Sequence, residues 1–147
     1  MRILVEILEK LKNGKVLIED VLQMKHWKTF EEIVAEVFQL HGYETDLNFR
    51  FKTSRRYEID VLAVCKDKAI AVDCKRWLGG RYKLSQLKKE AEKHAERSKE
   101  LANVWKDEVK EVIPIIVTLK EEGIKEWNGV IILPIWKLNT FLLEELL

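Results

Sequence analysis

Three charged residues stand where charge is costly to bury. Asp60 sits inside the run Tyr57-Glu-Ile-Asp-Val-Leu-Ala-Val64, and Asp73 and Lys75 close the next one, Ala69-Ile-Ala-Val-Asp-Cys-Lys75. Side chains alternate along a strand, so Asp73 and Lys75 share one face while Val72 and Cys74 share the other. Charges placed this way need partners or a cation. Whether Asp60 joins them depends on the hairpin between the two runs. Opposed residues of an antiparallel pair lie on one face, so Asp60 meets Asp73 only when paired positions have an odd sum. A four-residue loop, Cys65 to Lys68, gives that register and sets 60 across from 73. A three-residue loop would send Asp60 to the Cys74 side unless a bulge intervened. In the first case two carboxylates can share a hard divalent cation such as Mg²⁺, which favours carboxylate oxygens and keeps several waters. Such an ion polarises a phosphate and lowers the pKa of a bound water, and Lys75 would stabilise the hydroxide or the pentavalent phosphorane. A lone Asp-x-Lys at a strand end is more often structural; Asp60 at the right spacing turns the reading towards catalysis.

The elements that must position these residues are legible around them. Thr29 followed by Glu32 forms a capping box, and Gly42 supplies a stop, so residues 30–41 read as a helix. At 100° per residue Phe30, Ile33, Val34, Val37, Phe38 and Leu40 gather on one face. Glu32 and Glu36 fall on the wet side, whereas Glu31 borders the apolar face beside Phe38, where it can be aimed across the core boundary. Its ordinary role there is to favour the helix dipole. Strands are predicted at about 45–52, 57–65 and 69–76. A long helix follows at about 84–106, with Ser85 as N-cap and Leu87, Ala91, His94, Ala95, Leu101, Ala102 and Trp105 as its buried stripe. Residues 111–118 and 129–135 read as strands buried on both faces. Their prolines, Pro114 and Pro134, suggest edges, bulges or strand ends. Asn139 or Thr140 is expected to open a C-terminal helix. Short helices at 3–12 and 16–24 precede all of this. The order predicts one α/β sandwich with a mixed sheet.

Composition bounds the rest. The chain has 147 residues, 47% hydrophobic and 35% charged, with a net charge of +1. That is one domain able to bury a core, with no bulk charge advertising nucleic acid. The local distribution differs: residues 47–57 hold Arg50, Lys52, Arg55 and Arg56 and no acid, and residues 74–89 hold six basic residues and no acid. Taken alone such runs are solvated surface. Cys65 and Cys74 read as buried reduced thiols rather than a disulfide framework. No run has the length of a membrane span and the N-terminus lacks a signal-peptide layout, so a cytoplasmic location is expected. The five tryptophans read as core or interface, with Trp77, beside Gly79-Gly80, the one to watch for base stacking. No phosphate-binding glycine loop, histidine cluster or Ser/His/Asp arrangement is present.

Asp60-x12-Asp73-x-Lys75 between two strands resembles the PD-(D/E)xK nuclease superfamily, with Asp73 in a position more often held by Glu. The similarity is greatest to Mrr-like restriction endonucleases and archaeal Holliday-junction resolvases. In those a glutamate-bearing helix precedes a Gly-aromatic pair, here Phe30-Glu31-Glu32 and Gly42-Tyr43, and the Asp73-Cys-Lys-Arg-Trp77 run is Mrr-like as well. The resemblance covers roughly residues 29–135 and leaves 1–25 as an unexplained extension of a single domain. It implies a restriction-endonuclease-like three-layer sandwich with a central sheet of about five strands. It implies a catalytic set of Glu31, Asp60, Asp73 and Lys75, joined by Gln86, the glutamine that Mrr-like chains carry after the lysine. The metal would be Mg²⁺, with Mn²⁺ as substitute, on Asp60, Asp73, the backbone carbonyl of Cys74, and Glu31 through water. DNA is the implied partner, gripped by Arg50, Lys52, Arg55, Arg56, Arg76, Arg81 and Lys83. Two-strand cutting favours a homodimer. The alternatives are a junction resolvase and a nucleic-acid-binding module that has lost catalysis. The chain departs from the family in replacing a Gly-rich lead with Ser54-Arg-Arg-Tyr-Glu-Ile59, and in placing Glu58 on the strand face expected for Asp60.

Overall fold

The computed structural model describes residues 29–76 and 83–144. The elements run α1 (Phe30–Leu40), β1 (Glu44–Lys52), β2 (Arg56–Cys65), β3 (Lys68–Lys75), α2 (Lys83–Val104), β4 (Glu111–Thr118), β5 (Glu126–Trp127), β6 (Val130–Pro134) and α3 (Ile135–Glu144). The expected helices at 3–12 and 16–24 lie outside the described residues, as do Trp77 and Arg81.

The strands form one mixed six-stranded sheet in the order β1-β2-β3-β4-β6-β5. The first three pair antiparallel, β3-β4 and β4-β6 are parallel, and β5-β6 is antiparallel. Parallel neighbours need a crossover, which α2 supplies between β3 and β4. On one face α1 and α3 pack over Val61, Ala63, Ile70, Val72, Ile115 and Val117. On the other, Leu101 covers Ile59, Leu62, Ala69 and Ala71, while Leu87 and Ala91 meet Ile116, Val130 and Ile132. Each such fully buried Ile or Leu contributes on the order of 2 kcal/mol. The result is a three-layer sandwich, as the sequence predicts, with six strands in its sheet.

Helix α1 begins and ends as its sequence predicts. Thr29 Oγ1 accepts the Glu32 amide at 3.2 Å. At the other end Tyr43 N bonds Phe38 O and Gly42 N bonds Gln39 O, at 3.2 and 3.0 Å. The Phe38 and Tyr43 rings meet edge to face at 5.4 Å, so the stop is a Schellman motif with its hydrophobic contact. Gly42 has φ +84°, with open space where a Cβ would stand. Gly42→Ala is therefore expected to cost only the left-handed backbone penalty, about 1 kcal/mol. That would read as a melting temperature lower by a few degrees.

Several boundaries differ from expectation. Ser85 lies inside α2, whose described start is Lys83. Ser98 replaces Ala95, Ala102 and Trp105 among the fully buried residues; Ala95 and Ala102 are half-buried at the helix margins, and the half-buried Trp105 lies past the helix end at Val104. Helix α3 starts at Ile135, directly after β6, so neither Asn139 nor Thr140 opens it. Asn139 instead meets His41 Nε2 at 2.7 Å, tying α3 to the end of α1. The sixth strand, β5, arises from a hairpin around Asn128 and Gly129, both with positive φ. Pro114 sits in a central strand, but β6 pairs with β4 only from Ile115 onward, so the proline occupies a stretch with a single neighbour. Pro134 is the last residue of β6. Cys65 and Cys74 are free thiols. No helix of the described residues is long and apolar enough to cross a membrane.

Candidate active site

The β2-β3 hairpin pairs Cys65 with Lys68 and runs in register to Val61↔Val72. This is the odd-sum register of the four-residue loop, and the next step along it sets Asp60 across from Asp73. There the strands part. Residues 56–59 of β2 stay with β1, while β3 continues to Lys75 alongside β4. The two aspartates stand in the fork.

A local irregularity aims Asp60 into it. Ile59 and Leu62 both pack under α2, whereas Val61 and Ala63 pack under α1. Strict alternation cannot put 59 and 62 on one face, so β2 rotates at Asp60. Directly across, the ladder skips from Leu47↔Val61 to Phe49↔Ile59, and Asn48 has φ +52°. Asn tolerates this backbone better than other non-glycine residues, and such irregularities re-aim side chains beside functional sites. The rotation also disposes of Glu58, which turns outward to Arg50 at 3.0 Å and does not compete with Asp60.

Asp60 Oδ2 accepts the Cys74 amide at 2.8 Å. A strand residue's N–H and C=O point to the same neighbour, so the Cys74 carbonyl faces the fork as well. Burial, then the hydrogen bond and charge of Asp73, raise the Asp60 pKa from 3.8 to about 6, against the opposing pull of the Cys74 amide and Lys75. Asp73 is 5% exposed. Lys75 Nζ lies 3.1 Å from its Oδ2 and 3.2 Å from Glu90 Oε2 on α2. The Asp73 contact is one of charge, because that buried oxygen has no hydrogen-bond partner. Burial works against the Lys75 ammonium, but Asp73 and Glu90 outweigh it and its pKa lies above the ordinary 10.5. Burial, with the charges of Asp60, Glu31 and Asp73, drives the Cys74 thiol pKa well up. Glu31, in the first turn of α1, therefore lies near the Cys74 thiol, on the α1 side of the sheet.

The donor set fits a hard divalent cation. Two carboxylates crowd one another, one buried oxygen lacks a hydrogen bond, and a backbone carbonyl faces them. Among the described residues no group of three His, Cys, Asp or Glu side chains is arranged to hold a metal. Two protein carboxylates completed by water are what Mg²⁺ tends to accept.

The other expected residues divide. Gln86 is exposed in the first turn of α2, four residues before Glu90, so both belong to one side of the helix. Glu90 itself was not anticipated, because nothing in a helix pattern says which carboxylate meets a strand lysine. Arg50, Phe51, Lys52, Arg56, Tyr57 and Glu58 line a surface concavity on the β1-β2 hairpin. Arg55 lies over the Tyr57 ring and 3.6 Å from Glu96. Arg76 is exposed just past β3. Lys83 is held by Glu122 at 2.7 Å, with that carboxylate only 6% exposed, so its ammonium ties α2 to the loop after β4.

A three-layer sandwich whose central hairpin parts around Asp60, Asp73 and Lys75 defines a nuclease-type scaffold, that of the PD-(D/E)xK superfamily. The chain belongs to the Mrr_cat restriction endonuclease family, which it matches over residues 21–98, more than half its length. It is 35% identical over 117 residues to an uncharacterised protein of Archaeoglobus fulgidus, covering 79% of this chain and 88% of that one. Among solved structures it resembles the small subunit of the heterodimeric restriction endonuclease R.BspD6I, with TM-score 0.55 and 20% identity over 97% of this chain and 78% of that one. It also resembles a crystal structure of a protein of unknown function, with TM-score 0.51 and 22% identity, over 73% of this chain but only 56% of that one. At these identities the structural likeness is one of fold.

Proposed function

We propose that this chain is a divalent-cation-dependent DNA endonuclease that hydrolyses phosphodiester bonds. The observation that carries the reading is the fork itself, where Asp60 and Asp73 are held side by side with the Lys75 ammonium at their edge. Asp60, Asp73 and the Cys74 carbonyl would hold Mg²⁺ or Mn²⁺, with Glu31 acting through water. When bound, the ion supplies charge neutralisation and activation of water at a phosphate. Lys75 provides a fixed positive charge for the charge that develops on the phosphate. Asp60 is held in place by the Cys74 amide, and Asp73 by its burial in β3.

The test is cleavage of supercoiled, linear and four-way-junction DNA by the full chain, with Mg²⁺, with Mn²⁺ and with chelator. Cleavage is expected with either metal, and its loss with chelator or Asp73→Ala. Cutting that survives both would refute the mechanism. Binding without cutting would select the inactive binding module, and junction-only cutting the resolvase. Cutting both strands needs two such sites, so a two-fold homodimer is the assembly this reading expects. Nicked circles as the end product, with a monomer by light scattering, would contradict it.

The basic hairpin would bind the DNA backbone. Lys52 and Arg56 are exposed, opposite one another, and without an ion pair among the described residues. Replacing both by alanine is expected to lower the slope of log K against log salt by about 1–2, with little dependence on DNA sequence. An unchanged slope would place the DNA elsewhere.

A further inference from the structure

The proposed site contains a conflict. A cation on Asp60 and Asp73 needs the Asp73 oxygens, yet Lys75 Nζ already lies 3.1 Å from Asp73 Oδ2. An ammonium and a divalent cation on one carboxylate repel each other, and a lysine that clung to Asp73 would compete with the metal. Lys75 is itself mostly buried, with 18% of its side chain exposed, so it cannot swing into water without losing what holds it. The structure supplies another partner. Glu90 Oε2 lies 3.2 Å from the same nitrogen and accepts its hydrogen bond. The Glu90 side chain is 19% exposed. Its other oxygen faces Lys93 at 3.9 Å, an exposed and weak contact at the rim. Glu90 reaches Lys75 from α2, a layer that contributes neither aspartate, and so can draw the ammonium away from the metal position.

We propose that Glu90 is the positioning residue of Lys75: it takes over the ammonium when a divalent cation occupies Asp73, and so keeps the cation site open with the lysine beside it. This rests on the reading of Asp60 and Asp73 as the cation site. Without Glu90, Lys75 loses the carboxylate that draws it off Asp73 and competes with the metal there. Outer partners that orient a metal ligand typically change metal affinity by 10- to 100-fold. The route through lysine makes the effect conditional. Once the ammonium is gone, Asp73 needs no relief and Glu90 keeps only its weak contact to Lys93.

Mn²⁺ titration of the full chain by isothermal calorimetry at pH 8 reads this without any cleavage. Glu90→Gln, which preserves shape, is expected to weaken Mn²⁺ binding about tenfold. In a Lys75→Met background the same substitution is expected to change it less than about threefold, since the coupling of contacting residues disappears once one partner is removed. Circular dichroism confirms folding. If Lys75→Met alone is unstable, the Lys75→Met/Glu90→Gln protein, which lacks both charges, is compared with wild type and Glu90→Gln. It is expected to bind Mn²⁺ about as tightly as wild type rather than about tenfold more weakly. A tenfold loss that persists without Lys75 would mean that Glu90 acts on the cation directly, and an unchanged affinity in Glu90→Gln would mean that Asp73 needs no relief. Either overturns the proposal while leaving the nuclease reading intact. Wild-type heat of Mn²⁺ binding that is insensitive to Asp73→Ala would overturn both.

Discussion

Lys75→Met is expected to lower the rate of DNA cleavage by about 10³-fold while leaving Mn²⁺ binding in place. The size follows from what one preorganised charge contributes to a transition state in a partly dry site, typically 10² to 10³ in kcat. The position of the ammonium argues for this role. It is pinned between Asp73 and Glu90, and the two carboxylates raise its pKa above 10.5 in spite of burial. A lysine so held is protonated in the cation-free protein. That suits it to serve as a fixed charge, so its removal should fall on kcat, with KM for DNA nearly unchanged. Methionine keeps the length of the stem and both aspartates remain, so calorimetry separates the loss of chemistry from a loss of cation. A Lys75→Met protein that cuts within tenfold of wild type would remove Lys75 from the mechanism.

What could be read in advance was local or decided by parity. Thr29, Glu32 and Gly42 announce both ends of α1, because capping and the left-handed stop depend on a few adjacent residues. The pairing of Asp60 with Asp73 reduced to whether Cys65–Lys68 closes the turn, a question with two answers. The Asn128-Gly129 pair carried an equally local hairpin signal, yet β5 is only Glu126–Trp127 and too short to show an alternating pattern. Asn139 looked like a helix start because its residue type favours caps, but its oxygen is spent on His41 across the layer. The rotation at Asp60 had no sequence signature. It emerges from Asn48 on the neighbouring strand, and periodicity along β2 alone would have left Glu58 beside Asp60. Glu90 was hidden for a related reason: charged helix positions look alike until the packing of α2 on β3 decides which one meets Lys75.

Asp60→Asn is expected to abolish cleavage and at the same time stabilise the cation-free protein at pH 8. The carboxyl at 60 is crowded by burial and by Asp73, which lift its pKa from 3.8 to about 6 in the folded chain. A group whose folded pKa is raised contributes stability below its unfolded pKa and loses it as the pH rises through the folded one. Asp60 therefore takes stability from the wild-type chain in chelator as the pH rises from about 4 to 6, and its whole penalty is present at pH 8. Asparagine can accept the Cys74 amide through its oxygen, donate to Asp73 from its nitrogen, and bring no charge. His94 acts in the opposite sense. It is fully buried against Ala71 O, and burial lowers its pKa from 6.5 to about 4. Its contribution, about 3 kcal/mol at most, is present above pH 6.5 and lost as the pH falls towards 4. That acid limb is present in both proteins and the Asp60 charge is only a minor cause of it, so most of it drops out of their difference. Melting curves in chelator should show Asp60→Asn several degrees more stable at pH 8, with the advantage vanishing near pH 4, where Asp60 is protonated. Added Mn²⁺ should reverse the order at pH 8 by stabilising only the wild type. An Asp60→Asn protein less stable than wild type in chelator at pH 8 would mean that the two carboxylates are not crowded, and the case for a cation between them would go with it.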